Sequence, residues 1–70
     1  MPLSKARAGQ KRRITKIEGD TKVKKFLFSL GCFEGEEITV ISILAGNYIV
    51  NIKDARYAMD KKMAKAIQLV

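Results

Sequence analysis

The chain contains one cysteine and no histidine among its 70 residues, and this shortage limits what can hold so small a fold together. An intramolecular disulfide needs two thiols, and the structural zinc sites of small domains need several Cys or His ligands. The chain must therefore obtain its stability from an apolar core, for which a hydrophobic fraction of 47% provides the material. This length suffices for one domain, and we expect residues 1–70 to form it.

The same shortage excludes several classes of enzyme. Without histidine there is no Ser-His-Asp triad, no Cys-His pair and no imidazole metal site. Neither a phosphate-binding GxxxxGK loop nor a paired-carboxylate site is present. We therefore expect a binding or regulatory module rather than an enzyme, with no catalytic residues, no resident metal and no cofactor.

The apolar residues fall into short segments separated by turn residues. β-Branched residues dominate 38–44, and apolar and polar residues alternate in the segment that follows it. Ile14 and Ile17 are three residues apart, which breaks the alternation of a strand and predicts a bulge near Thr15 or Lys16. Strands are predicted at 10–18, 38–44, 48–53, 56–58 and 66–70, with a single helical turn at 60–64.

Residues 21–30 have the clearest helical pattern. Apolar residues at i, i+3, i+4 and i+7 share one helix face, and they are Val23, Phe26, Leu27 and Leu30. Asp20 or Thr21 is placed to cap the N-terminus, and Gly31 suits the left-handed position after the last turn.

Five short strands with one helix inserted after the first predict a mainly β fold, a small SH3-like β-barrel. Closure of the barrel limits the exposed strand edges that a small sheet otherwise leaves. We expect Leu3, Phe26, Phe33 and Tyr48 to belong to the core. The glycines expected at structural turns are Gly9, Gly31, Gly35 and Gly46.

Positive charge is concentrated in the first third of the chain. Of the 14 basic residues, nine lie within residues 1–25 beside only two acidic residues, whereas residues 26–70 contain five of each sign. This asymmetry predicts a negatively charged partner, which is a nucleic acid, an anionic membrane surface or an acidic protein face. A basic surface that only aids solubility is the alternative.

Glycines and aliphatic residues follow one another in a characteristic order. An opening leucine, a glycine and a spaced aliphatic pair are present as Leu3, Gly9, Ile14 and Ile17. The most specific stretch is Leu27-Phe28-Ser29-Leu30-Gly31-Cys32-Phe33-Glu34-Gly35. A hairpin glycine, an alternating strand and late alanine and aliphatic positions follow as Gly46, Ile49 to Lys53, Ala58-Met59, Ala64 and Ile67. In this order and spacing the chain resembles the FeoA family of small proteins encoded with the ferrous iron transporter FeoB.

The chain departs from the family pattern at turns and at tolerant apolar sites. Proline is common where this chain has Glu34 and Asn47, and glycine is common where it has Asp54. Phe28 and Cys32 replace aliphatic residues. The departures leave the fold assignment intact and leave open whether the family's partner surface is kept.

The resemblance implies an SH3-like barrel with a cytoplasmic accessory or regulatory role in bacterial Fe(II) uptake. The partner it implies is the cytosolic GTPase part of the membrane-embedded FeoB. It also implies kinship with the SH3-like domains of iron-dependent DtxR-type repressors. From the chain itself we expect a monomer or weak homo-oligomer without membrane insertion, and the lone cysteine fits a reducing cytoplasm.

The resemblance further implies a family-level label of transition-metal binding, which the residues support poorly. Glu34, Glu36 and Glu37 are three acids close together in sequence, two of which could share one ion. A solvated acidic turn is the commoner explanation for such a cluster. Cys32 is expected to pack as a small apolar residue.

The helix provides the candidate partner-binding residues. Phe28 lies about 140° around the helix from Val23, near the edge of the polar face beside Lys24 and Lys25. An exposed aromatic flanked by basic groups is a candidate anchor for a protein partner, the alternative being that loops cover it. The predicted partner-binding residues are Arg12, Arg13, Lys24, Lys25 and Phe28.

Single-stranded nucleic acid is the alternative partner. A phosphate-binding strip is predicted from Lys11, Arg12, Arg13, Lys22, Lys24 and Lys25. With Phe26, Phe33 and Tyr48 assigned to the core, however, only Phe28 and Tyr57 are left to stack on bases. We therefore expect protein binding rather than nucleic-acid binding.

Overall fold

The computed structural model describes residues 1–70. Its elements are a 3₁₀ turn (Leu3–Lys5), β1 (Lys11–Ile17), α1 (Thr21–Ser29), β2 (Glu37–Leu44), β3 (Asn47–Ile52), β4 (Ala55–Met59), α2 (Lys61–Ala66) and β5 (Ile67–Leu69). The five strands form one antiparallel sheet in the order β4-β3-β2-β1-β5. The predicted mainly β fold, with one helix inserted after the first strand, is confirmed.

A bulge in β1 allows this strand to serve two neighbours. Its first half pairs with β2, where Arg12 lies opposite Ile38, and its second half pairs with β5, where Ile17 lies opposite Ile67. The register shifts between Ile14 and Lys16, at the predicted position. Because a bulge bends and twists its strand, it turns the sheet from one partner strand to the other.

The N-terminal 3₁₀ turn and α2 pack against each other and against β5, and α2 also contacts β3. The Tyr48 hydroxyl donates a hydrogen bond of 2.8 Å to the Ser4 carbonyl, and the Glu18 amide donates one of 2.7 Å to the Ala66 carbonyl. Leu3 is fully buried, as the sequence predicts. The core consists of 17 buried residues, all of them apolar or, in Tyr48, amphipathic.

The structure corrects the assignment of two phenylalanines to the core. Phe26 is 44% exposed and Phe33 is 47% exposed. Helix α1 packs against α2 and buries only a narrow stripe of its surface, formed by Val23 and Leu27. Phe26 lies about 80° from the centre of that stripe, so its ring points past the core. Of the aromatic residues assigned to the core, Tyr48 alone is buried.

Both helices begin with the same cap. The carboxylates of Asp20 and Asp60 each accept a hydrogen bond of 2.9 Å from the third amide of the following helix, those of Val23 and Met63. The aspartate satisfies an amide that has no partner inside the helix, and its charge is favourable at the positive end of the helix dipole.

We expect Asp20→Ala to lower the free energy of unfolding by about 1 kcal/mol, because it removes this acceptor from α1. Urea denaturation followed by circular dichroism measures the change. Asp20→Asn is the matched control, since asparagine retains a side-chain acceptor, and it should lose much less. Equal stability of the alanine variant and the unmutated chain would contradict a stabilising role for the cap.

Candidate partner-binding groove

Two exposed aromatic rings stack at the C-terminal end of α1. The centroids of Phe28 and Phe33 are 5.7 Å apart, and their planes differ by 11°. Phe28 is 41% exposed, so the loops do not cover it. An offset pair of this kind presents a rigid apolar surface to solvent, and few rotamers have to be fixed when a partner binds it.

The end of α1 brings the two rings together. The amide of Gly31 donates to the Phe28 carbonyl at 3.0 Å, and the amide of Cys32 donates to the Leu27 carbonyl at 3.0 Å. This is the Schellman pattern, in which a left-handed residue reverses the chain after the last helical turn. Gly31 takes that conformation with φ of 92°, and the reversal places Cys32 in the core and Phe33 outside.

Lys53, in the turn that joins β3 and β4, contacts the second ring of the pair, that of Phe33. The Lys53 ammonium lies 5.7 Å from the centroid of Phe33 and 3.6 Å from a carboxylate oxygen of Glu36. A cation near an aromatic ring is attracted by its quadrupole. Phe33 is therefore contacted both by Phe28 and by this ammonium group.

The aromatic pair forms one wall of a surface groove of about 360 Å³, which we call the aromatic groove. It is lined by Lys16, Ile17, Lys24, Phe28, Phe33 and Glu34. Neither lysine is in a salt bridge, so both are available to a partner. The aromatic groove thus combines an apolar wall with a rim that carries both signs of charge and a net positive excess.

The structure does not bring the predicted partner-binding residues into one cluster. Lys24 and Phe28 line the aromatic groove, while Lys25 is exposed on the same helix without lining it. Arg12 and Arg13 line a separate groove of about 420 Å³ along β1. Their guanidinium groups donate hydrogen bonds of 2.9 Å to the carbonyls of Val70 and Gly35, respectively.

Sequence reasoning did not assign four of the residues that line the aromatic groove to a partner surface, namely Lys16, Ile17, Phe33 and Glu34. It placed Phe33 in the core, although Gly31 already indicated that the chain reverses just before this residue. Lys16 follows the bulge in β1, where the alternation of inward and outward residues is reset.

The candidate metal ligands do not form a site. No group of three or more His, Cys, Asp or Glu side chains is placed to hold a metal ion. Glu36 is paired with Lys53, and Glu37 is 3.9 Å from the ammonium of Lys11. The donor set therefore does not fit a transition-metal centre.

Cys32 is fully buried as a free thiol. Burial disfavours the charged thiolate and raises the pKa of Cys32 from 9.0 to about 11. At neutral pH the side chain is thus a neutral thiol packed inside the core.

We expect the Cys32 thiol to make stability depend on pH under alkaline conditions. The folded-state pKa is raised, so the stabilisation is complete below pH 9.0 and is lost as the pH rises toward about 11. The loss amounts to about 3 kcal/mol, because the pKa is raised by about 2 and one pKa unit corresponds to about 1.4 kcal/mol. Urea denaturation of the unmutated chain and of Cys32→Ala at each pH isolates this effect, since all other groups titrate in both. A stability difference that stays constant with pH would contradict it.

None of the helices is long and apolar enough to cross a membrane.

By sequence, no curated protein matches the chain. The family model of the FeoA domain, in contrast, matches residues 1–70.

Solved structures resemble the chain over its whole length. A crystal structure of an iron uptake regulatory protein, FeoA, is 27% identical, with a TM-score of 0.92 over 100% of this chain and 93% of that one. The FeoA of Stenotrophomonas maltophilia, crystallised with zinc and described as a prokaryotic SH3 domain protein, is 18% identical, with a TM-score of 0.90 over 100% and 89% of the two chains. A manganese-dependent transcriptional repressor is 23% identical, with a TM-score of 0.92 over 100% of this chain and 40% of the repressor.

The last two structures, at their low identities, bear on the fold alone, and the description of the Stenotrophomonas protein confirms that the fold is SH3-like. The family model settles the relationship, because it matches residues 1–70: the chain belongs to the FeoA family.

Proposed function

We propose that this protein is a cytoplasmic accessory protein of bacterial ferrous iron transport that binds the cytosolic GTPase part of a FeoB transporter. In this proposal residues 1–70 act as one FeoA-type unit, and the aromatic groove is the binding surface. Membership of the FeoA family supports the role in iron transport. The description of the Stenotrophomonas protein as a candidate activating factor of ferrous iron transport points the same way.

The stacked pair of Phe28 and Phe33 is the observation that carries the proposal. Large aromatic side chains are the most frequent anchors of protein interfaces, since they bury much area at low entropic cost. Here two of them are exposed on the same wall of a groove, and their geometry is fixed before a partner binds. A preformed anchor reduces the ordering cost of association.

Charge supports an acidic partner surface. The net charge is +7, and the unpaired lysines of the aromatic groove, Lys16 and Lys24, contribute to it. Long-range attraction of this kind accelerates encounter more than it strengthens the final complex. Any effect on GTP hydrolysis is exerted on the partner's active site, since the chain has neither a phosphate-binding loop nor a catalytic base of its own.

Single-stranded nucleic acid is the second candidate, and the exposure of Phe33 favours it more than the sequence did. Base stacking needs an open aromatic face beside phosphate-binding cations. Phe33, however, is already contacted by Phe28 and by the Lys53 ammonium. The arginines of β1 also lie in a different groove from the rings. Protein binding is therefore the better-supported function.

We expect Phe28→Ala and Phe33→Ala each to weaken binding to the cytosolic part of FeoB about tenfold or more, as truncation of an aromatic anchor does. Isothermal titration calorimetry gives the Kd, and circular dichroism verifies that the variants are folded. Phe26→Ala is the matched control, because Phe26 lies on the same helix with similar exposure and is outside the aromatic groove.

Three results would contradict the proposal. An equal loss of affinity in Phe26→Ala would show that the aromatic groove has no special role in binding. Binding that is unaffected by all three substitutions would place the interface elsewhere. Binding of a short oligothymidine with an affinity that falls steeply with salt, and that Phe28→Ala abolishes, would favour the nucleic-acid function instead.

Electrostatic steering leads to a separate prediction about kinetics. Raising the salt concentration should lower the association rate constant with the FeoB fragment while leaving the dissociation rate constant nearly unchanged. Surface plasmon resonance measures both constants. Lys24→Gln should reduce the salt dependence of association, and an association rate that does not change with salt would contradict steering.

A further inference from the structure

The β2–β3 and β3–β4 hairpins have the same turn geometry, but the turn of the first is apolar and the turn of the second is charged. Both turns have two central residues with positive φ, which is the type I′ arrangement. In the β3–β4 hairpin these residues are charged, Lys53 and Asp54, with φ of 49° and 66°. In the β2–β3 hairpin they are Ala45 and Gly46, with φ of 50° and 79°. Asparagine or aspartate usually fills the first position, so the β2–β3 turn accepts a less favourable conformation and remains apolar.

Two large aliphatic side chains are exposed immediately before this turn. Ile43 is 41% exposed and Leu44 is 63% exposed. Ile43 pairs with Tyr48, and Leu44 pairs with Asn47. Successive residues of a strand point to opposite faces, so Ile43 and Leu44 make both faces of the hairpin end apolar. We call residues 43–46 the apolar tip.

Charged groups flank the apolar tip but do not enter the hairpin. Residues 38–52 contain no charged side chain. The Tyr48 hydroxyl donates a hydrogen bond to the Ser4 carbonyl, and the exposed Lys5 is the next residue along the chain. On the other side, Met59 pairs with Tyr48, and the exposed Lys61 follows two residues later. Asp60, which lies between Met59 and Lys61 in the sequence, caps α2 by accepting a hydrogen bond from the Met63 amide.

We propose that the apolar tip is a peripheral contact site for an anionic lipid surface, into whose interfacial region Ile43 and Leu44 insert. A protein partner with a flat surface covers one face of a hairpin, whereas lipid chains surround both. The net charge of +7 attracts anionic headgroups, and the exposed Lys5 and Lys61 lie one and two residues along the chain from Ser4 and Met59, which contact Tyr48 of the hairpin. The contact is peripheral, and it shares no residue with the aromatic groove.

Vesicle binding of the full chain tests the proposal. Sedimentation compares vesicles of phosphatidylcholine alone with vesicles that also contain about 30% phosphatidylserine, an anionic lipid. The double variant Ile43→Thr/Leu44→Gln removes the apolar side chains and retains one β-branched residue in the strand. We expect its partition onto the anionic vesicles to fall about tenfold or more, given the aliphatic area lost. Phe26→Ala, which removes an exposed aromatic outside the tip, should keep the partition within about twofold of the unmutated chain.

A fluorescent probe tests insertion directly. The chain contains no tryptophan, so Leu44→Trp introduces a unique emitter at the apolar tip. Its emission should shift to the blue on anionic vesicles and be quenched by brominated lipid chains. Phe26→Trp is the matched control on α1, and its emission should not respond.

Several outcomes would overturn the proposal. Absence of binding to anionic vesicles would do so, and so would equal binding of the double variant, which would mean that charge alone is responsible. Tryptophan at position 44 that remains unquenched would exclude insertion. A dimer of the unmutated chain that the double variant dissociates in analytical ultracentrifugation would assign the apolar tip to self-association instead.

Discussion

The reversal of the chain at Gly31 is the constraint on which the candidate site depends. Its positive φ allows the two hydrogen bonds that end α1, and these bonds fix where the next residues go. Cys32 enters the core and Phe33 is directed outward to stack on Phe28. A Cβ at position 31 would lie 3.6 Å from the Ile52 side chain, which is an ordinary contact. The need for glycine here is therefore conformational rather than steric.

The small size of the core explains why so much apolar surface is left outside it. A chain of 70 residues has too little interior to bury every large side chain, and α1 contributes only Val23 and Leu27. The phenylalanines of α1 and of the loop that follows it are thus outside, as is the end of the β2–β3 hairpin. Four of these exposed side chains lie in two places, Phe28 and Phe33 in the aromatic groove and Ile43 and Leu44 in the apolar tip. Surface that the core cannot accommodate is thereby available for partners.

Most of the fold could be predicted from the sequence because its signals are local. The bulge of β1 follows from the spacing of Ile14 and Ile17, and the start of α1 follows from Asp20. The candidate site was harder to predict from the sequence. The helical period placed Phe26 with Val23 and Leu27 on one face, but it did not say how much of that face the rest of the fold would cover. Likewise, Arg12 and Arg13 of β1 were predicted to act together with Lys24 of α1, yet the arginines line one groove and Lys24 lines another.

The sequence by itself determined the secondary structure, the caps, the concentration of positive charge and the lack of histidine and of a second thiol. These properties depend on residue type and on neighbours a few positions away. Only the tertiary structure decided which apolar residues are exposed, and it made Phe33 a surface residue stacked on Phe28. Burial depends on the area that distant elements cover. In this chain that area is set by the pairing of β1 with both β2 and β5 and by the packing of α1, which buries only Val23 and Leu27.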